Sequence, residues 1–221
     1  METMSQSTTS APRQLPIVGG HLALDFANTV DDPYGAARCD HAGRFPELVT
    51  WSVRIGILQP DEATTLLASA TDHPRASSAA LKKAHALRSV LIETFSTAAM
   101  INSGEAAGVA AGAALEARWH DLRSSVTEAM AHSELVPDEH TYQLNWPVIT
   151  RLDAMLWPIT VAAVQLLTSP QLARVKKCAG CPWLFLDQSK NFSRRWCAMS
   201  DCGTHEKIVR YVARRAARKR A

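Results

Sequence analysis

A chain of 221 residues, 47% hydrophobic and 20% charged, can bury the core of one ordinary domain with a small module attached. Its net charge of +3 is unevenly spread: from Gln171 onward thirteen Lys and Arg face only Asp187, Asp201 and Glu206, so this segment carries +10 and the rest −7. The sequence speaks against a membrane-spanning helix and for a buried core one, because the longest apolar run, AMLWPITVAAVQLL after Asp153, is 14 residues long and holds Pro158, short of the roughly 20 that a span needs.

Met1 to Gln14 is rich in Ser and Thr and has no apolar run, which predicts a disordered tail over 1–14 and no export signal, with the cytoplasm as the expected compartment. A helical domain is expected over 15–170. In PIVGGHLALDFANTVDD, Gly19-Gly20 makes a turn, while Leu22, Leu24 and Phe26 alternate as in a strand and Leu22, Phe26 and Val30 fit a helix face. Periodicity leaves both open. FPELVTWSVRIGIL then sets Leu48, Trp51 or Ser52, Ile55 and Leu58 at helical spacing, and Pro60-Asp61-Glu62 begins another helix through Leu67. The strongest helix runs from Ala76 to Ile101, with an apolar stripe through Leu81, Ala84, Leu87 or Arg88, Leu91, Phe95 and Ala98. An Ala-rich helix over about Glu105 to His132 follows, where Gly108 and Gly112 would let a neighbouring helix approach closely. Pro137 to His140 reads as a turn with Tyr142, Leu144 and Trp146 alternating behind it, a small β-hairpin. Pro147 then suits the first turn of a helix reaching Thr168, which Pro158 should kink or break.

The C-terminal module, 171–221, is organised by cysteines. Cys39 lies far from the others and reads as an inert thiol, but Cys178-x2-Cys181 and Cys197-x4-Cys202 cluster within 25 positions. Four thiolates at this spacing are a ligand set for tetrahedral zinc, borderline soft and indifferent to geometry. A chance grouping or a redox CxxC is the weaker reading, since the βαβ context of a redox motif is absent. With four Cys ligands the site is closed, so a single structural Zn2+ is expected, stapling a module too small to bury enough surface alone. The intervening PWLFLDQSKNFSRRW predicts a hairpin, with one strand at Trp183 to Leu186, a turn at Gln188 to Asn191 and a return at Phe192 to Trp196. The second cysteine pair would bracket the start of a helix in a treble-clef-like arrangement. Thr204 is placed to cap that helix and Glu206 to sit in its first turn. Ile208, Tyr211 and Val212 share a face expected to pack on the hairpin aromatics. Lys207, Arg210, Arg214 and Arg218 step by three and four along the outside, a row of cations spaced for phosphates, beside Arg194 and Arg195 at the module's root. A merely solvated basic end is the bland alternative.

RRWCAMSDCGTHEKIVRYVARR resembles the bacterial CGNR zinc-finger module. GGHLALDFANTV, the helical body and LLTSPQLARVKKC resemble the ABATE domain that usually precedes it, a family described as stress-induced transcription regulators. The resemblance covers about Ile17 to Arg220 and implies a sensor domain joined to a nucleic-acid-binding finger, with Cys178, Cys181, Cys197 and Cys202 as zinc ligands. The signature departs at its end: Cys202 and Gly203 match, but Thr204 and His205 stand in place of Asn and Arg. A phosphate or base contact by the signature Arg is then either lost here or weakened to a pH-sensitive one through His205. In the sensor domain Asp25, Asn28 and Thr29 are candidate contacts for a small-molecule effector, against the alternative that they cap a local turn, while His21, Arg88 and Trp157 read as structural. No catalytic constellation and no phosphate-binding Gly loop can be assembled, so the expectation is a DNA-binding regulator and not an enzyme. An RNA-binding protein and a module docking an acidic protein partner are the alternatives, and a homodimer would enlarge the small footprint of one finger.

Overall fold

The computed structural model describes residues 15–31, 39–106, 109–146 and 151–220. The expected tail over Met1 to Gln14, the helix start at Pro147 and Gly108 lie outside them. The chain is mainly helical, and among the described residues it has seven α-helices and three separate two-stranded antiparallel ribbons.

The ambiguous run after Gly20 becomes both elements in turn. Helix α1 (Leu22–Ala27) is followed by β1 (Val30–Asp31), which pairs with β2 (Cys39–Asp40). Ala23, Leu24 and Phe26 of α1 are at most 1% exposed and lie at the centre of the core. Helices α2 (Phe45–Arg54) and α3 (Pro60–Asp72) each open with a proline in the first turn and a glutamate, Glu47 or Glu62, whose carboxylate accepts the N-cap amide. The predicted stripe through Ile55 and Leu58 is not one helix. Gly56, at φ 82°, takes the left-handed conformation just after α2, and Leu58 enters the core from the loop.

Helix α4 (Pro74–Ser103) spans about 45 Å at the usual rise per residue. Its predicted stripe is the buried face, with Ala84, Leu87, Leu91, Phe95 and Ala98 all inside. Arg88 on that face is 3% exposed and grips both carboxylate oxygens of Asp40 at 2.7 and 2.5 Å, with a third bond of 3.0 Å to the Thr29 hydroxyl. The β1–β2 ribbon is thus tied to α4 by a buried ion pair with its hydrogen bonds satisfied.

Two expectations for the helices that follow are corrected. On α5 (Val109–Ala131), a side chain at Gly112 would meet open space, so no helix approaches there. The helix expected to reach Thr168 from Pro147 begins only at Leu156, as α6 (Leu156–Leu167), with 151–155 in turns. Pro158, its third residue, lies in the first turn, where its missing N–H has no intrahelical partner to lose, so the helix is broken ahead of the proline and not kinked at it. Between them β3 (Glu134–Asp138) and β4 (Thr141–Asn145) form the predicted hairpin, although its turn is Glu139-His140 and Pro137 lies in the ladder opposite Tyr142. Leu144 and Trp146 anchor it on Ala129, Trp157 and Val161.

The final ribbon corrects a larger expectation. Strand β6 (Leu184–Leu186) pairs backward with β5 (Val175–Lys177), not forward with Phe192–Trp196. Leu-Phe-Leu is buried on both faces, Leu184 and Leu186 toward the main core and Phe185 toward the cysteines. The return segment is not a strand; it is held instead through the Asp187 carboxylate and by Trp196 packing beside Phe185 and the cysteines. Val175, Leu184 and Leu186, at most 3% exposed, share one core with Leu24 and Phe95. The cysteine module is therefore built onto the helical body, and α7 (Thr204–Arg220) extends from it, packing chiefly on the π-helical turn Met199–Gly203.

Candidate metal centre and nucleic-acid interface

Cys178 and Cys181 lie in the connection between β5 and β6, where a tight bend puts both thiols on one side. Cys197 precedes the turn Met199–Gly203 and Cys202 lies within it. The Cys181 and Cys197 sulfurs are 3.6 Å apart, Cys197 and Cys202 3.7 Å, and all four lie within 4.8 Å of one another. A tetrahedral zinc with bonds of about 2.3 Å requires sulfur separations of about 3.8 Å, so the four fit one ion. The amides of Cys197 (3.2 Å) and Gly180 (3.4 Å) donate to the Cys178 sulfur, the kind of outer-shell bond that orients a thiolate ligand and tunes its metal. None of the cysteines is in a disulfide. The set holds one structural zinc and leaves no position for a reacting ligand. The glycines beside it sit in tight quarters: a Cβ at Gly180 would lie 3.2 Å from the Cys202 Cβ, and one at Gly203 would push the exposed Met199 side chain aside from 2.6 Å.

A buried carboxylate shapes the loop between the cysteine pairs. Asp187, fully buried, accepts bonds from Lys176 Nζ (2.6 Å), the Ser189 amide and hydroxyl (2.9 and 2.6 Å) and the Arg194 amide (3.1 Å). Burial pushes its pKa up, but Lys176 and Ser189 more than offset this and hold it at about 2. Arg194 is turned inward. Its guanidinium carbon lies 4.5 Å from the centre of the Phe185 ring, its Nε donates to the Trp196 carbonyl at 2.9 Å, and Nη2 bonds the carbonyls of Val18 and Cys197. The residue expected to meet phosphate instead braces the second cysteine pair. Arg195 is exposed, its guanidinium 5.5 Å from the Trp196 ring centre.

The candidate effector contacts are also structural in place. Asp25 is buried and accepts the Gly19 amide at 2.7 Å. The Thr29 hydroxyl donates to the Phe26 carbonyl at 2.8 Å and accepts from Arg88. Asn28 does what neither sequence reading foresaw: its amide donates to the Leu184 carbonyl (2.8 Å) and its carbonyl accepts the Leu184 N–H (2.9 Å), mimicking a paired strand across 156 residues of sequence. Buried and bonded within the protein, these three side chains stitch α1 into the core and onto β6.

On α7, Lys207, Arg210, Arg214 and Arg218 are all exposed. Arg210 Nε is bonded to Glu206 at 2.8 Å. Thr204 does not cap: it already has helical dihedrals, and its hydroxyl donates to the Met199 carbonyl at 2.8 Å. The expected apolar contact is likewise absent, with Ile208, Tyr211 and Val212 exposed by 57%, 63% and 58%. The helix leaves the body after the zinc turn, where Trp196 lies beside Gly203 at its root and these three side chains point to solvent. His205, exposed at its root, lines a cleft of about 600 Å³ together with Cys181, Trp183 and Asp201 of the module and Asp31, Cys39 and His41 of the body. A second cleft of about 330 Å³ lies in the body among Lys83, Leu87, Glu128, Asp153, Trp157 and Thr160. No helix among the described residues is long and apolar enough to cross a membrane.

Residues 20–170 match the family model ABATE, described as "Putative stress-induced transcription regulator", and residues 174–215 match the CGNR zinc finger. No curated protein matches the chain.

Proposed function

Because this chain belongs to the ABATE family of transcription regulators and carries a CGNR zinc finger, we propose that it is a DNA-binding regulator and not an enzyme, and that α7 is its reading element. The observation that carries the proposal is the outward row of Lys207, Arg210, Arg214 and Arg218 on a helix whose root the zinc turn fixes. Cations so placed neutralise successive phosphates and release counterions, which gives affinity without requiring base contacts. Arg195 extends the row at the module's root, and His205 adds a charge only when protonated. The finger lies 171–221 and the sensing body 15–170, with a small-molecule effector seated in the cleft lined by Lys83, Glu128, Asp153 and Trp157. Its volume is at the lower end of ligand pockets, and an aromatic wall with several charged groups suits a small polar molecule.

The exposed flank of Ile208, Val209, Tyr211 and Val212 favours a homodimer as the form that binds, since two such helices could cover each other's apolar side and leave both basic rows outward. The test is fluorescence anisotropy of the zinc-loaded chain with duplex DNA and with structured RNA, each across a salt series. Steep salt dependence with duplex DNA outcompeting RNA is expected. Preference for RNA would turn the reading to an RNA-binding protein, and salt-independent or absent binding would remove nucleic acid altogether.

A further inference from the structure

The first ribbon brings together three side chains that neither the core nor the zinc finger uses. Asp31 and Cys39 are directly opposed partners in the β1–β2 ladder, so their side chains project from the same face. His41 follows Cys39 by two positions, and its amide bonds the Thr29 carbonyl at 2.9 Å, which continues the extended pairing and returns its ring to that face. The His41 Nε2 lies 3.1 Å from Asp31 Oδ2, and these two atoms and the Cys39 sulfur all lie within 4.8 Å of one another. All three line the 600 Å³ cleft against the module.

From this arrangement we infer a second metal site, formed by Asp31, Cys39 and His41, that takes an exchangeable divalent transition-metal ion of borderline softness such as Zn2+ or Co2+. An Asp–His hydrogen bond alone accounts for two of the groups but not for a thiol within 4.8 Å of both. Zinc-like ions bind imidazole nitrogen and carboxylate oxygen at about 2.0–2.2 Å, which sets adjacent tetrahedral ligand atoms about 3.4 Å apart, close to the 3.1 Å between His41 Nε2 and Asp31 Oδ2. One thiolate disfavours Mg2+ and Ca2+, whose sites are all oxygen. Three protein ligands leave a fourth position open toward the cleft, in contrast to the closed four-cysteine site. Asp31 is 42% exposed in its side chain and Cys39 is exposed, so an ion can enter and leave without unfolding. The inference does not depend on whether α7 binds nucleic acid.

The test adds Co2+ to full-length protein already saturated with one zinc per chain. The four-cysteine site is closed and already filled, so it keeps its zinc and the added cobalt reports the second site. One further equivalent should bind, with a cobalt–thiolate charge-transfer band, while the original zinc stays in the protein. Cys39→Ser should abolish the band, and both Cys39→Ser and His41→Gln should weaken cobalt binding by more than about tenfold, since even outer-shell losses cost 10–100-fold. Cys39 is a surface residue, so its variant folds; retention of the structural zinc verifies this in the same sample. Wild-type protein that takes up no second equivalent overturns the inference, and so does a band that persists in Cys39→Ser.

Discussion

Replacing Asn28 with Ala should loosen the joint between α1 and the cysteine module. The side chain makes two hydrogen bonds, at 2.8 and 2.9 Å, to the carbonyl and N–H of Leu184, and both residues are at most 3% exposed. A site this buried is closed to bulk solvent, so the variant strands one donor and one acceptor. Each costs about 1–3 kcal/mol, and the sum is about 2–6 kcal/mol, a large share of the 5–15 kcal/mol that holds an ordinary domain together. Asn28→Asp keeps the acceptor for the Leu184 N–H but sets an oxygen against the Leu184 carbonyl, and it should destabilise in the same direction. Urea unfolding of zinc-saturated protein, followed by circular dichroism, measures the difference, and hydrogen exchange at the Leu184 amide localises it. An Asn28→Ala variant within about 0.5 kcal/mol of the parent, with unchanged exchange at Leu184, would refute the reasoning.

Ending the chain at Ser169 removes Val175, Leu184 and Leu186 from the shared core, worth about 1.5–3 kcal/mol each, and the truncated body should lose its cooperative unfolding transition; an unaltered sharp transition would show the body self-sufficient. Cys197→Ser should eliminate the structural zinc by elemental analysis and release α7 from its root, and a variant that still carries one zinc would contradict the four-cysteine assignment. Lys207→Ala with Arg214→Ala should flatten the log K against log salt slope by nearly 2 for duplex DNA, since each lost phosphate contact removes about 0.9; an unchanged slope would make α7 a solvated tail. At Asp40, burial pushes the carboxyl up but the Arg88 hydrogen bonds outweigh it, so its pKa lies below the ordinary value. Its contribution is therefore complete above the unfolded pKa of about 4 and drains away as pH falls through the lower folded value. Asp40→Asn should cost about 3–5 kcal/mol near neutral pH, since it leaves Arg88 buried without its counter-charge. That cost should shrink in acid, and one that is constant with pH would exclude the ion pair as its cause.

What could be read in the sequence was whatever local spacing encodes. The α4 stripe from Leu81 to Ala98 and the four-cysteine pattern are both periodic or fixed-interval signals, and both stand in the structure as the sequence implied. Pairings between distant segments carry no such signal. Leu184–Leu186 is apolar at every position, which tells of burial on both faces but not of which strand lies beside it, so β5 is not legible as its partner. Asn28 resembles a turn residue because its bonds are to a segment 156 residues away. Arg194 counts as one more cation in a basic segment, although a lone buried acid close by, Asp187, organises the backbone that turns it inward. Asp31, Cys39 and His41 look unrelated in sequence, and the ribbon that joins them is only two residues long on each side.

Helix α7 has a further property that follows from its charges. Arg210, Arg214 and Arg218 stand four apart, a spacing at which like charges repel by a few tenths of a kcal/mol per pair, and Glu206 offsets only the first of them. At 17 residues, with its apolar flank uncovered, the helix is close to the length at which an isolated one barely holds in water. It strains against its own cations. A polyanion laid along the row would relieve that repulsion in the act of binding, so helix content should rise on association, and the ligand would finish folding the element that grasps it.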